Sequence, residues 1–391
     1  MNIIVTGDLY LTEPNIKSIN TNGVHRSFSE ELCTMIQKAD FSITNYESAV
    51  HISEKLKGIS KTGPVLSTSP DAMKIVREMG FDCVTLANNH IRDLGGQGIE
   101  NALKVAQQNG IETVGAARTK EAAQQPLYIE IDGVKLAIIN FCENEFSTLA
   151  RPNEPQANGY NLVDVFYQIK EAKSLADFVL LIVHAGHEEY PLPSPRMKRD
   201  FRFFVDAGAN AVVCHHAHCY TGYEVYHEAP IFYGLGNFVF EGDSSELSIW
   251  NYGYMLELSL IKEDGQISSS FVLHPYKQGV KGDPVLLHNL EKEEAVEFAQ
   301  EIEKKNGIIA HDEELTKAFA LLAKRNRLRK YILSPYRGRI TQALNARGLL
   351  PSFISRKKEL LLMNVLRCEA HRDTVSSNLE QIYYYFTSKK P

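Results

Sequence analysis

The sequence has few cysteines, and they do not occur in the pairs that typically bind metals. Its six cysteines are scattered over 391 residues without a CxxC spacing, which argues against a structural zinc site of the cysteine type. Several of them lie inside apolar runs that are typical of strands. We therefore expect buried, reduced thiols rather than disulfides.

Long apolar runs and an excess of positive charge are missing as well. No uninterrupted apolar segment reaches the roughly 20 residues that span a bilayer. The first residues lack the basic start and apolar stretch of a secretory signal, so we expect a cytoplasmic protein. The formal net charge of −6 argues against a general nucleic-acid binder, which is normally basic.

The amino-acid composition is typical of a globular protein with a sizeable core. Hydrophobic residues make up 44% of the chain and charged residues 23%. The length exceeds that of most single cores. We expect one large domain over residues 1–285 and a C-terminal helical region over residues 286–391.

Short apolar runs alternate with helix candidates over roughly the first 275 residues. The runs at 3–5, 81–86, 136–139, 178–183 and 211–213 are rich in Val, Ile and Leu, as is typical of strands buried on both faces. Segments 70–79, 98–108 and 197–206 end near glycine, which favours helices. This alternation predicts an α/β fold. Strand candidates at 231–233, 254–260 and 268–274 have no helix between them, so we expect mixed or antiparallel pairing there.

The last hundred residues have a different sequence pattern. They contain helix candidates at 296–305, 313–325, 359–368 and 374–386. Basic residues are concentrated at 324–330, at Arg337 and Arg339, and at 356–358. Such charge runs usually face solvent. The alternative is a contact with an acidic polymer, an anionic membrane surface or a polymer synthase.

Polar residues follow the strands of the first part at the points where the strands end. In chain order these residues are Asp8, Asn45, Glu47, Asn89, His90, Asp93, His184, His216 and His218. Parallel strands place their carboxyl ends along one edge, so residues far apart in sequence can converge there. We expect these side chains to form one site. Individually, each has a simpler interpretation as a turn, helix cap or core residue.

The residue types suit divalent cations. Two ions about 3.5–4 Å apart need a bridging carboxylate together with separate imidazole and oxygen ligands. Mixed nitrogen and oxygen ligands favour Mn²⁺, Fe²⁺ or Zn²⁺. If the segment after residue 214 is extended, His216 and His218 share a face, and His215 points away from the site. The sequence therefore predicts one or two bound metal ions.

These motifs resemble those of the bacterial capsule-synthesis, CapA-like family of the calcineurin-like metallophosphoesterase superfamily. The resemblance covers roughly residues 1–275. It is carried by Gly7-Asp8, Asn45-Tyr-Glu47, Ala87-Asn-Asn-His90, His184-Ala-Gly-His-Glu188, Cys214-His-His-Ala-His218 and Tyr233-Gly-Leu-Gly-Asn-Phe238. It implies a four-layered αββα sandwich of the metallo-dependent phosphatase type, here with a C-terminal helical extension.

The resemblance also implies roles for individual residues. The metal ligands would be Asp8, Glu47, Asn89, His184, His216 and His218. His90 would act as an acid or stabilise charge, and we expect Asp93 to orient it. We expect substrate contacts from Asn45, His187, Glu188 and Asn237. Phosphoesterases usually have Asp-x-His at the first motif, where this chain has Tyr10, and an aspartate where it has Glu47.

Three functions are compatible with these residues. The first is a metal-dependent hydrolase, acting on a phosphoester or on a γ-glutamyl amide of a capsule-type polymer such as poly-γ-glutamate. The second is an acid–base enzyme that uses the same residues without metal, such as a peptide epimerase. The third is a non-catalytic partner of a polymer synthase, docked through the basic C-terminal helices. We favour them in that order.

Overall fold

The computed structural model describes residues 1–53, 56–61, 63–242, 244–325, 338–351, 355–367 and 379. The chain forms two compact units, Met1–Thr316 and Lys317–Pro391. The division therefore falls later than residue 285, where the sequence suggested a boundary. Among the described residues, no helix is both long enough and apolar enough to cross a membrane.

The first unit is built from eighteen described strands and nine complete helices. The strands are β1 (Asn2–Tyr10), β2 (Phe41–Tyr46), β3 (Ala49–Val50), β4 (Ser67–Thr68), β5 (Cys83–Thr85), β6 (Glu112–Val114), β7 (Ala116–Ala117), β8 (Leu127–Ile131), β9 (Val134–Cys142), β10 (Gln156–Ala157), β11 (Phe178–His184), β12 (Ala211–His215), β13 (Tyr223–Tyr226), β14 (Ala229–Phe232), β15 (Asn237–Phe240), β16 (Tyr252–Glu263), β17 (Gln266–Gln278) and β18 (Leu287–Asn289). The helices are α1 (Glu13–Asn22), α2 (Val24–Ser27), α3 (Glu30–Lys38), α4 (Pro70–Met79), α5 (Gly95–Gln108), α6 (Lys120–Ala123), α7 (Leu162–Leu175), α8 (Pro195–Ala207) and α9 (Lys292–Ala310). A short 3-10 helix, Ile249–Asn251, precedes β16.

The strands form two large sheets. The first sheet has the order β18-β17-β16-β1-β2-β5-β6, with β15 also paired to β1, and the second has the order β13-β14-β12-β11-β9-β8. Strands β1, β2, β5 and β6 are parallel, whereas β16, β17 and β18 are antiparallel. The change to antiparallel pairing predicted for the later strands is confirmed.

Three apolar cores separate four layers. One core lies between the first sheet and α1, α3, α4 and α5, and a second fills the space between the two sheets. The third packs α7 and α8 against the outer face of the second sheet. The structure is thus a four-layered α/β/β/α sandwich, and the predicted fold class is confirmed.

Local sequence signals explain where the helices begin and end. Helix α4 has Pro70 in its first turn and ends at Gly80, whose φ of 109° favours glycine. Helix α8 begins after Ser194, whose side chain accepts a hydrogen bond from the Met197 amide. Helix α5 starts at Gly95, three residues before the predicted start, because packing overrides the weak helix propensity of its glycines.

Part of the predicted helical region belongs to the first unit. Phe298 and Ile302 of α9 contribute to the core between the sheets. Lys198 of α8 donates to the carbonyl of Ile309 at 2.6 Å and to Asp312 at 2.5 Å, which fixes the end of α9. The helix predicted at 296–305 is confirmed within α9.

The remaining helices with described bounds are α10 (Asp312–Arg325), α11 (Arg339–Ala346) and α12 (Arg356–Arg367). Helix α10 contains the boundary between the units, and the helix predicted at 313–325 is confirmed within it. Helix α12 begins three residues before the predicted start at 359 and ends at residue 367. Residues 326–330, Arg337, Cys368 and, apart from Leu379, the helix predicted at 374–386 lie outside the described residues.

Candidate metal centre

The ends of strands from both sheets carry the polar residues into the space between the sheets. In the first sheet, Asp8 of β1 is paired with Asn45 of β2 on one side and with Asn237 of β15 on the other. In the second sheet, His184 is the last residue of β11 and is paired with His215, the last residue of β12. The register of each sheet therefore aligns the predicted residues, as expected for parallel strands.

Among the described residues, two groups of side chains are close enough to hold a metal ion. Asp8, Glu47 and His184 form one group, and Glu47, His216 and His218 form the other. Within each group the candidate ligand atoms lie within 4.8 Å of one another, and all of these residues are buried. Glu47, which directly follows β2, belongs to both groups. Two neighbouring divalent ions require a carboxylate that is shared between them in this way.

The Glu47 carboxylate has no hydrogen-bond donor among the described residues. The side chain is fully buried, and neither of its oxygens has a hydrogen-bond partner there. Burial and the nearby Asp8 raise the pKa of Glu47 well above its ordinary value. Buried polar groups are almost always paired, and a buried carboxylate is costly without a partner. A bound cation would supply the positively charged partner that the described side chains do not provide for this carboxylate.

Three groups converge on Nε2 of His184. His216 Nδ1 and Asn89 Oδ1 each lie 3.0 Å away, and Glu47 Oε1 lies 3.4 Å away. Burial and the surrounding imidazoles depress the pKa of His184 well below its ordinary value. Burial likewise lowers the pKa of His216 to about 3. The rings are therefore neutral at physiological pH and carry the lone pairs that metal ions bind, so the donor set fits a divalent cation.

Aromatic rings surround His218. Its ring centroid lies 4.6 Å from that of Trp250 and 4.9 Å from that of Phe240. Tyr10, at the position of the missing ligand histidine, packs its ring 5.1 Å from Phe240. Trp250 is the single tryptophan of the sequence. Its fluorescence therefore reports directly on a candidate metal ligand.

The backbone after β12 is not extended. His216 has φ = 88° and His218 has φ = 52°, so the expectation that they share a face of an extended segment is wrong. Both side chains nevertheless reach the site, through a sharp turn instead. His215 faces away from them, and its Nε2 atom lies 2.9 Å from the carbonyl oxygen of Thr6.

Two residues predicted to bind substrate lie behind the candidate ligands. Asn45 is fully buried and donates from Nδ2 to Asp8 at 2.7 Å, while Nδ2 lies 3.2 Å from His184 Nδ1. Asn237 is also fully buried, and its Oδ1 lies 2.8 Å from His218 Nδ1. Their polar atoms are occupied within the protein. Both side chains therefore contact candidate ligands, and neither is exposed to solvent.

The other two predicted substrate contacts lie on the loop after β11. His187 and Glu188 are both exposed there. Burial of part of the ring lowers the pKa of His187, and Glu188 is near enough to raise the pKa of Glu47. This places both residues at the rim of the site.

His90 and Asp93 form a close pair beside the ligands. His90 Nδ1 lies 2.6 Å from Asp93 Oδ2, and both side chains are buried. Lys61, which the sequence did not indicate, joins the pair with its ammonium 2.6 Å from Asp93 Oδ1. It lies between β3 and β4, outside the described helices and strands, where no periodic pattern in the sequence indicates a site.

The hydrogen bonds of Asn237 lead to a prediction for metal affinity. Its Nδ2 donates to the carbonyls of His218 and Trp250, so it fixes both the backbone and the ring of a candidate ligand. We expect Asn237→Leu to weaken Mn²⁺ or Zn²⁺ binding about 10- to 100-fold, as for other losses of ligand support. Titrations followed by Trp250 fluorescence measure the change. The exposed control Asn153→Leu should bind like the wild type, and equal affinity in both variants would contradict the role of Asn237.

The fold and the site together define a class: a two-sheet α/β protein with a buried, metal-type cluster between the strand ends. Sequence comparison makes the class more specific. The sequence pattern of the family described as "Bacterial capsule synthesis protein PGA_cap" matches residues 2–242, and the chain belongs to this family. The resemblance to the CapA-like family is thereby confirmed.

Two relatives agree with this assignment in sequence. The capsule biosynthesis protein CapA of Bacillus anthracis is 29% identical over 248 residues, which cover 62% of this chain and 60% of that protein. The PGA biosynthesis protein CapA of Bacillus subtilis (strain 168) is 31% identical over 209 residues, covering 53% of this chain and 55% of that protein. The chain thus spans less than two thirds of these relatives. A solved phosphatase structure from Mycoplasma pneumoniae has a TM-score of 0.43 and 16% identity, covering 70% of this chain and 93% of that one.

Proposed function

We propose that this protein is a metal-dependent hydrolase that acts in the synthesis or processing of a capsule-type envelope polymer. The single observation that carries the hydrolase proposal is Glu47, a fully buried carboxylate without a hydrogen-bond partner among the described residues. The link to a polymer is supported by the relatives, whose names refer to capsule and PGA biosynthesis.

In this proposal, one group of residues binds the metal ions. Six residues would hold one or two divalent ions such as Mn²⁺, Fe²⁺ or Zn²⁺: Asp8, Glu47, Asn89, His184, His216 and His218. Glu47 would be shared between the two positions because it belongs to both groups. Such ions lower the pKa of a coordinated water and polarise the bond to be broken.

The other side chains have separate tasks. His90 Nδ1 is engaged by Asp93, so Nε2 is the ring atom left to face the leaving group. In the doubly protonated form of the ring, Nε2 would donate a proton to the leaving group while Nδ1 keeps its hydrogen bond to Asp93. His187 and Glu188, exposed at the rim, would contact the substrate outside the metal positions. The bond that is cleaved would be a phosphoester or a γ-glutamyl amide.

Metal removal and two substrate classes test the proposal. The purified chain is treated with a chelator and reloaded with Mn²⁺, Zn²⁺ or Mg²⁺, and then assayed with bis(p-nitrophenyl) phosphate and γ-glutamyl p-nitroanilide. We expect hydrolysis of one of them only after reloading, and a loss of at least about 100-fold in Asp8→Asn, since a metal ligand is removed.

The control for this experiment is Asp40→Asn, an exposed aspartate outside the site, which should keep full activity. Elemental analysis of the protein before chelation gives the metal content independently of any substrate. An absence of bound metal, together with unchanged behaviour of Asp8→Asn, would contradict the proposal. Solvent deuterium entering a peptide substrate in the presence of chelator would point to acid–base chemistry without metal.

A further inference from the structure

A buried lysine lies beside the candidate proton donor. Lys61 belongs to the segment that joins β3 and β4, and its side chain is only 4% exposed. Its ammonium lies 2.6 Å from Asp93 Oδ1 and 3.3 Å from His90 Nδ1. Burying a lysine is expensive unless its charge is paired. An apolar side chain would fill this space at a lower free-energy cost of burial. The presence of a charged side chain therefore requires an explanation.

Asp93 binds several described residues of the segment between β3 and β4. Its Oδ2 accepts from the Leu66 amide at 2.7 Å and from His90, and its carbonyl accepts from the Ile59 amide at 2.8 Å. Lys61 is bound to the remaining carboxylate oxygen, Oδ1. Three residues of one segment are therefore attached to the residue that orients His90.

These contacts determine which nitrogen of the His90 ring carries the proton. Lys61 and the Leu66 amide both donate to the Asp93 carboxylate, and we assign the 2.6 Å contact with His90 to a hydrogen bond from Nδ1 to Oδ2. Lys61 and His90 then donate to the same carboxylate from two sides, which explains the 3.3 Å contact between two donors. With both oxygens occupied, the carboxylate cannot rotate without breaking one of these bonds.

We propose that Lys61 is a positioning residue of this site: it locks the Asp93 carboxylate, and through it the His90 ring, while Ile59, Lys61 and Leu66 keep water from that pair. The inference rests on the proposed function only in taking His90 as the proton donor. It assigns a role to a residue outside the metal-binding motifs.

The test compares Lys61→Met, Lys61→Arg and Asp93→Asn in the full chain with Lys57→Met, an exposed lysine of the same segment. The first readout is the far-downfield proton resonance of the His90 Nδ1–H group, which is assigned by its loss in His90→Gln. We expect this resonance in the wild type, Lys61→Arg and Lys57→Met. We expect it to disappear in Lys61→Met and Asp93→Asn, because water then exchanges the proton.

The second readout separates positioning from a general loss of stability. On whichever test substrate the wild type hydrolyses, Lys61→Met should lower kcat about 10-fold or more, with KM and the Mn²⁺ affinity changed less than about 2-fold. Lys61→Arg should restore most of kcat, since it keeps the charge. Should Met at this position prevent folding, Lys61→Gln, which lacks the charge but can donate, is evaluated in the same way.

Failure of this inference differs from failure of the proposed function. A wild type that binds metal but hydrolyses neither substrate would count against the hydrolase, and the His90 resonance would then decide the role of Lys61. A resonance that persists unchanged in Lys61→Met would overturn the inference. So would identical effects of Lys57→Met and Lys61→Met on the resonance or on kcat.

Discussion

Replacing Glu47 by glutamine should stabilise the metal-free protein. Burial and Asp8 raise the pKa of Glu47, so its ionised form is unfavourable in the folded chain at neutral pH. Gln keeps the shape of the side chain but removes the charge, and uncompensated buried charges cost about 3–5 kcal/mol. We expect Glu47→Gln to raise the unfolding free energy of the chelated protein by about 2 kcal/mol, and urea denaturation measures it.

The same variant should lose the response to metal. Saturating metal stabilises a folded protein by about 4 kcal/mol at a thousand times the dissociation constant, and this gain should nearly vanish in Glu47→Gln. Glu188→Gln, at the exposed rim, provides the matched control and should respond to metal like the wild type. A variant that is less stable than the wild type in chelator, yet still stabilised by metal, would show that Glu47 is not a ligand.

Replacing Gly7 by alanine should destabilise the fold strongly. A Cβ atom at this position would lie 1.9 Å from the carbonyl oxygen of Gly236 and 3.2 Å from the amide of Phe238. Both are backbone atoms, so relief requires β1 and β15 to separate next to Asp8. Overpacking of cores costs about 1–3 kcal/mol and occasionally more, and we expect at least about 3 kcal/mol here.

The control is a glycine that carries no such constraint. Apart from its chain neighbours and the backbone of its own helix, a Cβ atom added at Gly307 in α9 would meet no atom of the described residues within 4 Å. Gly307→Ala should therefore stabilise by about 0.5–1 kcal/mol, because alanine is the better helix former. Urea denaturation of both variants gives the comparison. A Gly7→Ala protein with wild-type stability would mean that the two strands pack less tightly than the structure indicates.

The strand ends were predictable because their signal is local. Each apolar run is followed directly by polar residues, and parallel pairing brings such ends together. The division of these strands between two sheets was not visible in the apolar pattern. Residues 3–5 and 83–85 lie in one sheet and residues 178–183 in the other, yet all are equally apolar. The two-sheet arrangement was expected only from the family resemblance.

Other parts of the site depend on contacts that leave no local pattern. Lys61 contacts Asp93 from outside the described helices and strands, and Trp250 contacts His218 from a short 3-10 helix before β16. The roles of Asn45 and Asn237 also depended on packing. Their positions at strand ends were clear from the sequence, but only the three-dimensional structure shows which way their amides face.

The turn after β12 limits how the imidazoles can be removed experimentally. Alanine at residue 216 or 218 would have to keep a positive φ, a region that is unfavourable for most side chains. A loss of metal binding in such a variant would then have two causes, the missing ligand and the change in the backbone. Asparagine enters left-handed conformations more readily, so it deletes the imidazole while disturbing the main chain least. The shape of this turn thus determines which substitution isolates the chemistry of the two histidines.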